Sequence, residues 1–171
     1  MRININRISI YFQLLVSFVL PMPAIAAIYV SPEKGPVAEI TLENRLNSGM
    51  DFVIYADAKE CKGRSFVQRP ADRFRTAKIP ASTLLAVTIG QSVETIGCPI
   101  TFQFTPEIGA SYLIIYEKQH EGSYSRGGQA SCQLNLKRIE TDRTFSIVDD
   151  VEQRKMRAPF FESGAWCEPK K

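Results

Sequence analysis

Apolar residues at every second position, in short runs separated by glycine, proline, asparagine and serine, constrain this chain more than any other feature. Successive side chains of a strand point to opposite faces, so such alternation marks half-buried strands and the residues between runs mark reversals. "VAEITLEN" sets Ala38, Ile40 and Leu42 against Glu39, Thr41 and Glu43, and "FVIYAD" sets Phe52, Ile54 and Ala56 against Val53, Tyr55 and Asp57. With "LNSGMD" between them, the two runs read as a hairpin. "LLAVTI" continues the pattern through Leu85, Val87 and Ile89.

The stretch from Phe102 to Glu117, "FQFTPEIGASYLIIYE", is the most regular. Ile100, Phe102 and Phe104 alternate with Thr101, Gln103 and Thr105. Pro106 fixes φ and Gly109 tolerates positive φ, so a second hairpin is expected there. Its return strand, Tyr112–Tyr116, is apolar on both faces and belongs in the middle of a sheet. Core packing accounts for the aromatics; the competing reading is a ligand cleft lined by Phe102, Phe104 and Tyr112.

"CQLNLKRI" and "TFSIVD" add strands, with "KQHEGSYSRGGQAS" as a long polar loop before the first of them. The passage from Lys59 to Lys78 reads as a loop with at most a short strand or helical turn near "RFRTAKI". From Asp149 the pattern fades, and "DDVEQRKM" suits a short helix or a solvated tail. "APFFESGAWCEPKK" carries three aromatics and a cysteine, and is expected to be tied down. There is no internal repeat. Short strands without a sustained helical period predict an all-β, antiparallel β-sandwich of about seven strands, with a small β-barrel as the alternative.

The first residues bear on compartment. "MRININR" is basic, "ISIYFQLLVSFVL" is apolar, and "PMPAIAA" supplies a small-x-small site at Ala24-Ile25-Ala26. This is the pattern of a secretory signal peptide over residues 1–26, leaving residues 27–171 as one domain with a C-terminal tail. The apolar run is shorter than the ~20 residues a bilayer span needs, so no transmembrane span is expected after cleavage. The location implied is periplasmic or secreted. Removing Arg2 and Arg7 lowers the formal charge from +3 to +1, with basic and acidic residues interspersed. That balance excludes the clustered positive face of a nucleic-acid binder.

Cys61, Cys98, Cys132 and Cys167 all lie in the exported part. An even number in an oxidising compartment predicts two disulfides. No C-x-x-C is present and His120 is the only imidazole, so neither a zinc site nor a redox pair is expected. If the strands bearing Cys98 and Cys132 flank the Tyr112–Tyr116 strand, they lie about 9–10 Å apart. A disulfide needs Cα atoms within about 7 Å. This disfavours Cys98–Cys132 and leaves two connectivities, of which Cys61–Cys98 with Cys132–Cys167 is preferred.

Catalytic constellations fail on geometry. His120 is the only candidate base for a triad, and Ser123 and Ser125 share its expected loop, which cannot hold them in register. Asp149 and Asp150, adjacent on a strand, would point to opposite faces rather than converge. Glu107 reads as a solvated turn residue. No phosphate loop, calcium loop, metal site or cofactor is expected. Two binding candidates survive: the loop carrying Tyr124 and Arg126, residue types favoured as interface anchors, and the basic passage Arg64, Arg69, Arg73 and Arg75. The passage could touch an anionic surface, but its two aspartates favour a solvated face.

"IPAST-LLAVTI" and "F-x-F-x-PEIGASYLI" resemble small exported bacterial β-sandwich modules of the PEGA and carboxypeptidase-regulatory-like type. Pro106, Gly109 and Tyr112 match a Pro-Gly turn that launches a Tyr-containing strand, over the middle third of the chain. The resemblance implies a non-catalytic envelope module that binds a protein partner or scaffolds. The alternative is a proteinaceous inhibitor of a secreted hydrolase, such as a lysozyme, acting through a preorganised, disulfide-pinned loop.

Overall fold

The structure, a computed structural model, describes residues 27–45, 50–67, 73–90, 99–120, 130–157, 159–161 and 163–169. The signal-peptide reading of residues 1–26 therefore lies outside it. Among the described residues, eleven strands form two sheets packed face to face: β1 (Ala27–Ile28), β2 (Val37–Asn44), β3 (Asp51–Asp57), β4 (Lys62–Phe66), β5 (Phe74–Pro80), β6 (Leu85–Gly90), β7 (Ile100–Phe104), β8 (Ser111–His120), β9 (Ala130–Ile139), β10 (Phe145–Ile147) and β11 (Glu152–Arg154). Sheet A runs β1-β4-β3-β6-β7-β11 and sheet B runs β10-β9-β8-β2-β5. The sandwich is as expected; the strand count exceeds seven. Pairing is antiparallel except for β1 with β4 and β2 with β8.

The inner faces follow the alternation. Phe52, Ile54, Val87, Ile89, Phe102 and Phe104 of sheet A meet Ile40, Leu42, Ile79, Tyr112, Ile114 and Tyr116 of sheet B. Phe104 packs edge-to-face on Tyr112 at 5.1 Å, and both are buried with Phe102. These aromatics build the core.

Both expected hairpins are instead crossings between sheets. β2 and β3 lie in opposite sheets, as do β7 and β8. The residues after β7 form an arch, in which Ser82 N donates to Pro106 O, Gly109 N to Val37 O and Glu39 N to Ala110 O. That arch delivers β8 to β2, with Glu39 opposite Ser111 and Asn44 opposite Tyr116. Gly109 holds φ +71, the conformation the turn needs. β8 is the central strand of sheet B, with β9 on its other side, in keeping with its two apolar faces.

The expected loop from Lys59 to Lys78 contains β4 and β5. Its described arginines are engaged differently from one another. Arg75 is buried and donates to Met50 O at 2.9 Å. Arg73 pairs with Glu43 at 3.0 Å. Arg64 lies 4.0 Å from the Trp166 ring centroid and 4.9 Å from that of Phe66. Arg69 lies outside the described residues.

The cysteine pairing also differs. Cys61 bonds to Cys167, with Cα atoms 5.5 Å apart, which overturns both Cys61–Cys98 and Cys132–Cys167. β7, which follows Cys98, lies in sheet A rather than beside β8, so the strands near Cys98 and Cys132 do not flank β8 in one sheet. The C-terminal segment folds back over sheet A and brings Cys167 to Cys61. Cys132 is disulfide-bonded as well; Cys98 lies outside the described residues.

Candidate functional site

The outer face of sheet A is not a solvent face. Val53 and Tyr55 of β3, Phe66 of β4 and Ala86 of β6 form a second apolar cluster with Ala58, Cys61 and Cys167, against which Trp166 packs. The outward polar positions of β6 and β7 are sealed in the same layer: Thr88, Thr101 and Gln103 are all buried. The hydroxyl of Thr88 bonds those of Tyr55 at 2.9 Å and Thr101 at 2.6 Å. Gln103 donates to Ala58 O and accepts from Arg154 Nη1 at 2.8 Å. Arg154 also donates to Lys59 O and Glu168 O. Buried polar groups need such partners, because an unpaired one costs about 1–3 kcal/mol. This network joins three segments distant in sequence: the β3–β4 turn, β7 and the C-terminal segment.

On that foundation the C-terminal segment builds a hairpin. Met156 bridges Cys167 in antiparallel sense. Arg157 N donates to Trp166 O and Glu168 N to Lys155 O, both at 2.9 Å. Trp166 N donates to Cys61 O, and Arg157 Nε to Ala165 O. The disulfide fixes one arm to the β3–β4 turn, and the Arg64 guanidinium stacked on Trp166 fixes the same arm to β4.

The tip presents two phenyl rings to solvent. Phe160 is 93 % exposed and Phe161 64 %, with ring centroids 4.8 Å apart and planes at 85°. Gly164 N donates to Phe161 O. A Cβ at Gly164 would lie 2.5 Å from that of Pro159, so glycine allows the tight return. Two adjacent exposed aromatics thus sit at the tip of a hairpin whose arms are pinned by a disulfide, ladder bonds and a buried arginine. That arrangement suits insertion into an apolar recess.

The residues singled out in sequence fall elsewhere. Tyr124, Arg126, Ser123 and Ser125 lie outside the described residues. His120 closes β8 opposite Ala130, on a strand rather than in a loop. Asp149 and Asp150 occupy a turn, not a strand. Glu107 is not merely solvated: it accepts from Arg138, which also lies near Glu140. Among the described residues, no group of three or more His, Cys, Asp or Glu side chains is placed to hold a metal ion. Sequence reading expected the tail to be anchored but missed Phe160 and Phe161 as a site. The available signal was Pro159-Phe160-Phe161 close to Gly164 and a cysteine, in a segment without strand alternation.

No protein-family model matches the chain, and no curated protein matches it.

Proposed function

We propose that the chain is a non-catalytic, exported cell-envelope protein that binds a protein partner through its C-terminal hairpin. The observation carrying this reading is the exposure of Phe160 and Phe161 on a frame held by Cys61–Cys167 and Arg154. Water-exposed rings on a rigid loop gain free energy when a recess takes them up, and preorganisation removes most of the ordering cost. Export is supported by the signal pattern of residues 1–26 and by a disulfide, which persists in oxidising compartments. The resemblance to PEGA-type modules points the same way.

A second reading, inhibition of a secreted hydrolase, is favoured by the same feature, since a pinned, protruding aromatic loop is shaped to plug a substrate cleft. In-cell crosslinking of the tagged protein and its Phe160→Ser/Phe161→Ser variant, followed by mass spectrometry, tests both. The binding reading expects a partner recovered with the wild type and lost with the variant. A single hydrolase at near-equal stoichiometry selects the inhibitor. Partners unchanged by the variant would overturn the hairpin as recognition element.

A further inference from the structure

Sheet B ends in two edge strands, β5 and β10, and the chain treats them differently. A sheet edge presents unpaired amides and carbonyls, which proteins blunt with lysine, proline or a covering segment. At β5 all three devices are present. Lys78 stands on the edge, its carbonyl accepts from the Tyr29 hydroxyl at 2.8 Å, and Pro80 has no amide proton to offer. β10 is only three residues long, but Phe145-Ser146-Ile147 carries neither charge nor proline. Pairing parity decides which of its groups face outward. Glu140 N donates to Thr144 O and Val148 N to Leu136 O, so Thr144, Ser146 and Val148 turn their backbone groups towards β9. Phe145 and Ile147 therefore turn their amides and carbonyls to the open edge. Their side chains lie on the outer face of the sheet, because Phe145 stands opposite Ile139 and Ile139 opposite Ser111, whose neighbour Tyr112 points into the core. The two side chains are 55 % and 76 % exposed. This edge is apolar as well as open.

We infer that β10 pairs with β10 of a second copy of this chain, antiparallel about a twofold axis at Ser146, so that the two sheets B become one continuous sheet. This interface is separate from the C-terminal hairpin, which lies on sheet A. Three observations select a second copy as the occupant. The first is the backbone: in this register Phe145 lies opposite Ile147 of the other copy, and each such pair exchanges two hydrogen bonds through the outward groups. The second is the side chains. Opposite residues share a face, so each exposed phenyl ring meets an exposed isoleucine, an aromatic and β-branched pair of the kind that stabilises sheets. The third is charge. Arg143, three positions before Ser146, and Asp149, three positions after it, are both exposed and opposite in sign. Antiparallel pairing sets Arg143 of one copy against Asp149 of the other at both ends. The neighbouring Asp142 is turned onto its own loop, where it accepts from Thr144 N at 2.9 Å and Thr144 Oγ1 at 2.6 Å. A strand flanked by opposite charges complements itself in antiparallel sense, and such an isologous contact closes at two copies. The contact is small and belongs to the transient class of interfaces.

Sedimentation velocity of the exported protein, over a concentration series to about 300 µM, tests the pairing. Wild type should dimerise within that range. Phe145→Lys/Ile147→Lys should weaken dimerisation by at least about tenfold, because it sets lysines opposite one another across the axis. Both positions are exposed, and an unchanged melting temperature verifies folding. Arg143→Asp and Asp149→Arg should each weaken the dimer by about fivefold, and the combined reversal Arg143→Asp/Asp149→Arg should restore it. Phe160→Ser/Phe161→Ser should leave it unchanged. A wild-type monomer throughout, a dimer indifferent to the lysines, or charge reversals that fail to rescue one another would each overturn the inference. So would assembly beyond two copies, which a single open edge does not allow. Loss of the dimer in the Phe160→Ser/Phe161→Ser variant would move the contact to the hairpin and overturn the pairing of β10.

Discussion

At the scale of single residues, the most consequential side chains are polar ones in an apolar layer. Thr101 and Gln103 occupy the outward positions that alternation assigns them, yet both are only 1 % exposed. Gln103 holds the β3–β4 turn through Ala58 O and the C-terminal segment through Arg154. Gln103→Leu should therefore cost about 2–3 kcal/mol, because it leaves a charged guanidinium short of a buried acceptor. Urea denaturation measures this, and a cost below ~0.5 kcal/mol would remove the network from the account. The parity of these residues was legible in the sequence. Their burial was not, because the cover comes from residues some fifty positions later, across no local pattern. A still longer separation hid the role of Arg64, whose partner Trp166 lies in the tail.

At the scale of elements, alternation showed which face of each strand is buried but not which strand lies beside it. β2 and β3, and likewise β7 and β8, have the alternating pattern of hairpins and the turn residues of hairpins. An arch between two sheets has the same chemistry as a turn within one, since both ask for Pro106 and Gly109. What places β8 beside β2 is the set of backbone bonds from the arch to Val37 and Glu39. The pairing is reinforced at its far end. Arg45, which follows β2, bonds Glu43 of β2 and Glu117 of β8, while Arg73 bonds Glu43 from the start of β5. The hydrogen bond from Arg45 foremost, with that from Arg73 and against the effect of burial, holds the Glu43 carboxyl below its ordinary value of 4.5. A carboxylate depressed in the folded state stabilises the fold fully above its unfolded value, and that contribution is lost as pH falls through the folded value. Wild type should thus lose stability below pH 4.5 more steeply than Glu43→Gln. At neutral pH the variant should be weaker by about 1 kcal/mol, modest because both arginines are well exposed. Parallel denaturation curves at neutral and acid pH would contradict this assignment.

At the scale of the whole molecule, the sandwich is completed by its tail. The two-sheet class was readable from short alternating runs, and the anchoring of the tail from its aromatics and cysteine. The tail's path across sheet A was not readable, and with it went the disulfide pairing. Cys61–Cys167 spans 106 residues in sequence, a loop length for which the chain-entropy model gives about 4–5 kcal/mol. Cys61→Ser/Cys167→Ser should lower stability on that order and expose the hairpin arms to proteolysis before the sheets. Peptide mapping without reduction should return Cys61 joined to Cys167. Since Cys132 is also bonded, we propose Cys98 as its partner. A Cys132 thiol that alkylates without reduction would contradict that pairing.

The central claim is that the tip of the C-terminal hairpin is where this molecule meets its partner. A photoreactive benzophenone side chain placed at position 160 of the exported protein tests it most directly, with the same group at Thr76 on the opposite sheet as control. The account predicts a discrete protein adduct from position 160, whether a second copy or another envelope protein, and none from position 76. Discrete adducts from position 76 with none from position 160 would contradict it.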